Sequence, residues 1–347
     1  MFLFSIHITR GVTEHMALLE VQDLCTQFKT DQGTVKAVRN VSFKLNEGEA
    51  LGIVGESGSG KSQTMYTIIG LLADNAEVTS GSVTFDGKDI SRGNYNSKKE
   101  YEKMMQELRG NTMAMIFQDP MTFLNPILKI GTQLIEPIMN HHKVSREEAK
   151  KQAIELMKKV GIPSPEKRIE QYPFEFSGGM RQRIVIAIAL ANHPKLIIAD
   201  EPTTALDVTI QAQVLELIDE LKKSSNSAII MISHDLGVVA KLCDRIAIMY
   251  GGKIVEIGTD KDIFYNPKHP YTQGLLNCIA NPDDDDAPLQ PIAGSPPDLL
   301  NPPKGCPFVD RCPKAMKICK NELPEVTHFS DTHECACWLM KKEAVAK

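Results

Sequence analysis

Between about residues 18 and 263 the chain alternates short, wholly apolar runs with longer stretches of helical period. The runs at 50–54, 114–117, 196–199, 228–232 and 246–249 lack the polar alternation of a half-exposed strand. Strands covered on both faces carry this pattern, so the expected fold is α/β with a largely parallel sheet. From Asp119 onward the period changes. Ser145 and Glu148 form a capping-box pair, and Ala149, Ala153, Ile154, Leu156, Met157 and Val160 share one helix face. Residues 119–180 therefore read as a helical subdomain inserted into the sheet domain. Further on, residues 281–304 hold seven prolines and the four aspartates 283–286, the composition of an extended connector. The expected division is a disordered extension over 1–16, a sheet-and-helix domain over 17–265 and a small cysteine-rich C-terminal extension over 266–347.

Composition narrows the function classes. A net charge of −5 carries no polycationic footprint, so no nucleic-acid partner is expected. No apolar run reaches the roughly 18–20 residues that span a bilayer. The apolar opening at residues 1–8 has no basic region before it, and Thr13-Glu14-His15 is no cleavage site, so a signal peptide is not expected. Cys25, Cys243 and Cys278 stand alone, whereas Cys306, Cys312, Cys319, Cys335 and Cys337 crowd the last 42 positions. In a chain read as having no export signal, such crowding suggests metal ligation before disulfides. The four aspartates lack the glycine and final Glu of a calcium loop and read as a solvated acidic loop.

Chemistry enters where the first apolar run opens into Gly55-Glu56-Ser57-Gly58-Ser59-Gly60-Lys61-Ser62, ahead of a helix-compatible stretch at 63–72. Strand, glycine-rich loop, Lys-Ser and helix in that order make a phosphate-binding loop. The glycines let backbone N–H groups turn inward, Lys61 supplies a point charge near the β and γ phosphates, and the Ser62 hydroxyl can bind Mg²⁺. The helix adds the positive end of its dipole. The run at 196–199 ends in Asp200-Glu201, where Asp200 can hold Mg²⁺ through water and Glu201 can polarise an attacking water. Acidic residues also close many strands as loop starters, so this pair takes its meaning from the loop upstream. A third piece, Phe176-Ser177-Gly178-Gly179-Met180-Arg181-Gln182-Arg183, runs into an apolar helix, and small residues at a helix start suit an anion.

Together these motifs resemble the ATP-binding cassette family, which implies a phosphate-loop (RecA-like) nucleotide-binding domain over 17–265. Ser177, Gly178 and Gly179 resemble the family signature, Gln118 its Q-loop glutamine, Asp207 in Ala205-Leu206-Asp207 its D-loop, and His234 its switch histidine. The resemblance implies that Glu201, His234 and Gln118 are catalytic. It implies that ATP binds Gly55, Glu56, Ser57, Gly58, Ser59, Gly60, Lys61 and Ser62, and that Mg²⁺ meets Ser62, Gln118 and Asp200. Phe28 is the nearest match to the aromatic that stacks on adenine in relatives. Two positions depart from the commonest signature: Phe176 stands where Leu is usual, and Met180 where Gln is usual. In this family the signature of one subunit closes over the phosphate loop of another, so a second motor subunit is implied.

Downstream, His269-Pro270-Tyr271-Thr272-Gln273-Gly274, Gly294-Ser295-Pro296-Pro297-Asp298 and Gly305-Cys306-Pro307-Phe308 resemble the C-terminal extension of oligopeptide and dipeptide importer motors. This implies a D-type motor paired with an F-type relative as a heterodimer. Two transmembrane permease subunits, an extracellular substrate-binding protein and a peripheral place on the cytoplasmic face of the cell membrane follow. Nickel or another solute is the alternative cargo, and a soluble cassette ATPase of DNA repair or translation is the rival class. Those usually carry two cassettes or a long coiled-coil insertion, and this chain has one cassette and neither. Some family members ligate a [4Fe-4S] cluster, and the resemblance places Cys306, Cys312, Cys319 and Cys337 at it, with Cys335 competing for the fourth place. Zinc and unliganded thiols remain alternatives.

Overall fold

The five apolar runs form five neighbouring parallel strands, in the order Arg245–Tyr250, Ala50–Val54, Ala228–Ser233, Leu196–Asp200 and Met113–Ile116. This computed structural model describes residues 17–204, 207–278 and 291–341. The N-terminal extension, Ala205-Leu206 and the four aspartates lie outside the described residues. Every residue of Ala50–Val54, Leu196–Asp200, Ala228–Ser233 and Met113–Ile116 is buried. The alternation of a strand then divides the core. Ala50, Val54, Ile197, Ala199, Ile229 and Met231 face one apolar cluster, while Leu51, Ile53, Leu196, Ile198, Ile230 and Ile232 face the other. Each such Ile or Leu withdrawn from water contributes about 1.5–3 kcal/mol.

The second cluster is closed by an antiparallel sheet, ordered Gly33–Leu45, Leu19–Thr30, Ala76–Phe85 and Lys88–Asp89. Its long strands mix buried and exposed positions and carry register shifts near Leu24 and Thr26. The first cluster is closed by the helical region, chiefly Ile130–His141, Arg146–Lys159 and Gly178–Ala189. Ser145 Oγ accepts the Glu148 N–H at 3.2 Å, one half of the capping box read in the sequence. Ala149, Ala153, Leu156, Met157 and Val160 are buried, and Ile154 packs against them half-buried.

Distant in sequence, the C-terminal segment is joined to the core in space. Lys253–Thr259 runs antiparallel to Arg245–Tyr250, and the hairpin Val326–His328 with Glu334–Ala336 pairs onto it, Cys335 opposite Glu256. The described half of the proline-rich connector is fastened too: Lys36 N donates to Leu299 O at 2.9 Å and Arg39 Nη2 to Pro303 O at 3.0 Å. Tyr250, Tyr271 and Phe308 pack together in tilted and edge-on contacts, with ring centroids 4.4–5.3 Å apart. No helix among the described residues is long and apolar enough to cross a membrane.

Candidate nucleotide site

Residues 55–62 turn from strand Ala50–Val54 into helix Lys61–Ile68. Two glycines are forced. A Cβ on Gly55 would lie 2.1 Å from Met249 O, and Gly60 combines φ +97° with a Cβ position 2.4 Å from Ala37 O. Lys61 is buried, its Nζ donating to Gly55 O at 2.7 Å and Glu56 O at 3.1 Å. Burial lowers its pKa, and the negative charges of Glu201, Asp200 and Glu56 oppose that shift. Ser59 Oγ is buried without a hydrogen-bond partner.

Beside the loop, Ser62 Oγ donates to Asp200 Oδ1 at 2.9 Å and Tyr66 Oη to Asp200 Oδ2 at 3.4 Å. Burial raises the Asp200 pKa, the Ser62 hydrogen bond pulls it back, and the neighbouring Glu201 charge adds to the rise. Glu201 holds a left-handed backbone, φ +45°, in a residue type that rarely adopts one. Three groups converge on its Oε2: Gln118 Nε2 at 3.0 Å, Thr204 Oγ1 at 3.0 Å and His234 Nδ1 at 3.4 Å. Gln118 follows strand Met113–Ile116, Glu201 follows Leu196–Asp200, and His234 follows Ala228–Ser233. Parallel strands in register thus deliver all three at their carboxyl ends, where a doubly wound sheet binds its ligand.

Other site residues lie apart. Ser177 caps helix Gly178–Ala189, its Oγ accepting from Met180 N, and Gly178 faces open space. Among the described residues no hydrogen bond joins Ser177, Gly178 or Gly179 to residues 55–62. Phe176, the departure from the commonest signature, is buried against Arg168, and Met180 packs on the core. Asp207 caps helix Val208–Ser225 through Ile210 N. Phe28 stands half-buried in strand Leu19–Thr30, opposite Val35 and Ala76. Glu56 turns towards the C-terminal segment, where its carboxylate meets Arg311.

Sequence reasoning missed Tyr66, Thr204, Tyr271 and Arg311. Tyr66 was within reach, one helical turn after Ser62, and Thr204 lies three residues after Glu201. Arg311 is 255 residues from Glu56, and no local pattern announces the pair.

Cys306, Cys312, Cys319 and Cys337 line one cavity of ≈10 Å³, with His269 and Trp338 in its wall. Cys335 sits in the hairpin strand beside it. Burial, then the neighbouring thiols, pushes Cys306 up to about 12 and Cys337 to about 11, so these groups are protonated unless a cation draws the protons off. Four thiols on one cavity are the donor types of an iron–sulfur or a zinc site. Among the described residues no group of three or more His, Cys, Asp or Glu side chains is placed to hold a metal ion, and the cavity as it stands has room for about one water. The expected cluster is therefore not supported by the arrangement of the described residues: the four cysteines line one cavity as free thiols and are not placed to hold a metal ion.

Comparison with known proteins sets this geometry in context. Residues 38–204 match the family model of ABC transporters, and residues 255–319 match that of the oligopeptide/dipeptide transporter C-terminal region. The chain is 52% identical over 328 residues to the dipeptide transport ATP-binding protein DppD of Bacillus subtilis, covering 94% of this chain and 96% of the relative. It is 51% identical over 321 residues to the oligopeptide transport ATP-binding protein OppD of Salmonella typhimurium, covering 92% and 93%. Among solved structures it resembles the dimeric post-hydrolysis ATP-binding cassette MJ0796 bound to ADP and Pi. The TM-score is 0.60 at 27% identity, covering 70% of this chain and 98% of that one.

Proposed function

Since the chain belongs to the ABC transporter family and is one of its ATPases, with the C-terminal region of oligopeptide/dipeptide transporters, we propose that it hydrolyses ATP to drive peptide uptake. The observation that carries the chemistry is the convergence of Gln118, Thr204 and His234 on Glu201 beside the Ser62–Asp200 pair. In this reading the ATP phosphates enter residues 55–62 and replace the carbonyl oxygens that now hold Lys61. Glu201 orients and polarises the attacking water, with Gln118 and His234 fixing its carboxylate. This is catalysis by positioning and electrostatics, as phosphoryl transfer requires. Ser62, Asp200 and Gln118 would hold Mg²⁺, which supplies charge neutralisation at the β and γ oxygens.

Ser177 and Gly178, both exposed, and Gly179, buried behind them, make no hydrogen bond to the chain's own loop and would serve the nucleotide of a second motor subunit. The dimeric cassette among the similar structures supports that arrangement. We assign that partner as an F-type relative, with two permease subunits and an extracellular binding protein completing the importer at the cytoplasmic face of the membrane. Phe28 is assigned to the adenine, and the boundaries 17–265 and 266–347 to the ATPase domain and its extension. Cys306, Cys312, Cys319 and Cys337 would be the ligands of a [4Fe-4S] cluster only if the cavity they line widened. Iron and zinc analysis of anaerobically purified protein tests it; a colourless, iron-free product sinks it.

The hydrolytic assignment is tested with Glu201→Gln. Multiple-turnover hydrolysis is expected to fall by at least about 100-fold, the weight of a lost catalytic base, while ATP binding persists. Hydrolysis within tenfold of the parent would overturn it.

A further inference from the structure

Glu56, the second residue of the phosphate loop, is held by the C-terminal extension through both side chain and backbone. Its carboxylate accepts from Arg311 Nη1 at 2.7 Å and Nη2 at 3.0 Å, the parallel fork that suits a guanidinium. Its backbone N–H donates to the Tyr271 hydroxyl at 3.0 Å. Arg311 cannot swing away: Nε donates to Ala293 O at 2.9 Å, Nη2 also to Ile292 O at 2.9 Å, and Nη1 also to Tyr250 Oη at 3.1 Å. Its side chain is 6% exposed, against 27% for Glu56, so water screens the pair little.

Holding Glu56 also holds what the loop uses. Glu56 O accepts from Lys61 Nζ at 3.1 Å and from Ser59 N at 3.2 Å, so the loop's ammonium and one of its turning amides are indexed to this residue. A loop released at Glu56 would have to be ordered again each time nucleotide binds, and the cost of that ordering is subtracted from affinity.

We propose that Arg311 is a positioning residue for nucleotide binding: the C-terminal extension keeps the phosphate loop in its binding shape, and affinity for ATP depends on a side chain that never touches the nucleotide. The proposal rests on residues 55–62 being the ATP phosphate site. Trp338, the chain's single tryptophan, lies in the same extension with its Nε1 donating to Glu322 O at 3.0 Å, so its emission reports whether the extension is folded.

The test uses the full-length chain with Arg311→Lys, which keeps a charge and loses the fork, and Glu56→Gln, which keeps the shape and loses the charge. Fluorescent-ATP titration, KM and kcat for ATP, and Trp338 emission are measured on each, with Lys61→Ala as the reference for the loop. With native Trp338 emission, both variants are expected to raise Kd and KM about tenfold, a loss typical of one charge-assisted pair, and to lower kcat far less. Unchanged Kd and KM in both variants overturns the proposal. A shifted Trp338 emission in Arg311→Lys together with an unchanged Kd in Glu56→Gln also overturns it, because Arg311 would then serve only the extension's own fold. Nucleotide binding undiminished in Lys61→Ala would instead remove the phosphate-loop reading underneath.

Discussion

Single residues decide the site by what their backbones and burial allow. Gly55 has no room for a Cβ beside Met249 O, so Gly55→Ala must displace the loop or the neighbouring strand. Overpacking of this kind costs about 1–3 kcal/mol, and ATP affinity is expected to fall with it in an equilibrium titration. Cys243 shows the opposite kind of residue, one silenced by its surroundings. Burial pushes its thiol up to about 12 from 9.0, so the contribution to stability is full below about pH 9 and is lost as pH rises towards 12. In native protein at pH 8, mass spectrometry after iodoacetamide is expected to find exposed Cys278 alkylated and Cys243 untouched. At this scale the loop, Asp200 and Glu201 were legible because strand, glycines and Lys-Ser follow one another. The strained φ of Glu201 was not legible, since it arises where its N–H donates to Ile232 O, a contact between separate strands.

Elements were legible in proportion to how completely they are buried. The five parallel strands fall within one residue of the runs read from the sequence, because burial on both faces removes every polar interruption. The long antiparallel strands left no such trace: half their side chains face outward, and the register shifts near Leu24 and Thr26 break the alternation. Helix Arg146–Lys159 was readable from its cap and its apolar face, and Met157 sits at the centre of that face with no exposure. Met157→Ala is expected to cost about 2–5 kcal/mol, measured as a lower urea midpoint with an unchanged slope. A loss below about 0.5 kcal/mol, the range of surface substitutions, would mean that the face is not packed as described.

Across the whole molecule, the organisation that sequence could not disclose is the return of the C-terminus to the core sheet. Glu256, fully buried in strand Lys253–Thr259, accepts from Lys268 N at 2.7 Å and His269 N at 2.9 Å and lies 2.9 Å from His333 Nε2. One carboxylate thus joins the core strand, the turn before helix Pro270–Asn277 and the C-terminal hairpin. Glu256→Ala leaves the buried His269 N–H and His333 ring without this partner and is expected to cost about 1–3 kcal/mol for each, seen as early melting of the extension by Trp338 emission. Such pairings span tens to hundreds of residues, and the proline-rich connector gives no hint of them because extended chain carries no periodicity. The same architecture places Gln118, Glu201 and His234 past the carboxyl ends of neighbouring parallel strands and leaves Ser177 and Gly178 exposed.

The most direct measurement of that account is uptake of labelled di- and oligopeptides by cells carrying the parent chain or Glu201→Gln at equal level. Loss of uptake of at least one peptide class in the variant, with the transporter still assembled and ATP still bound, is the result expected. Undiminished uptake of every peptide by Glu201→Gln would contradict it.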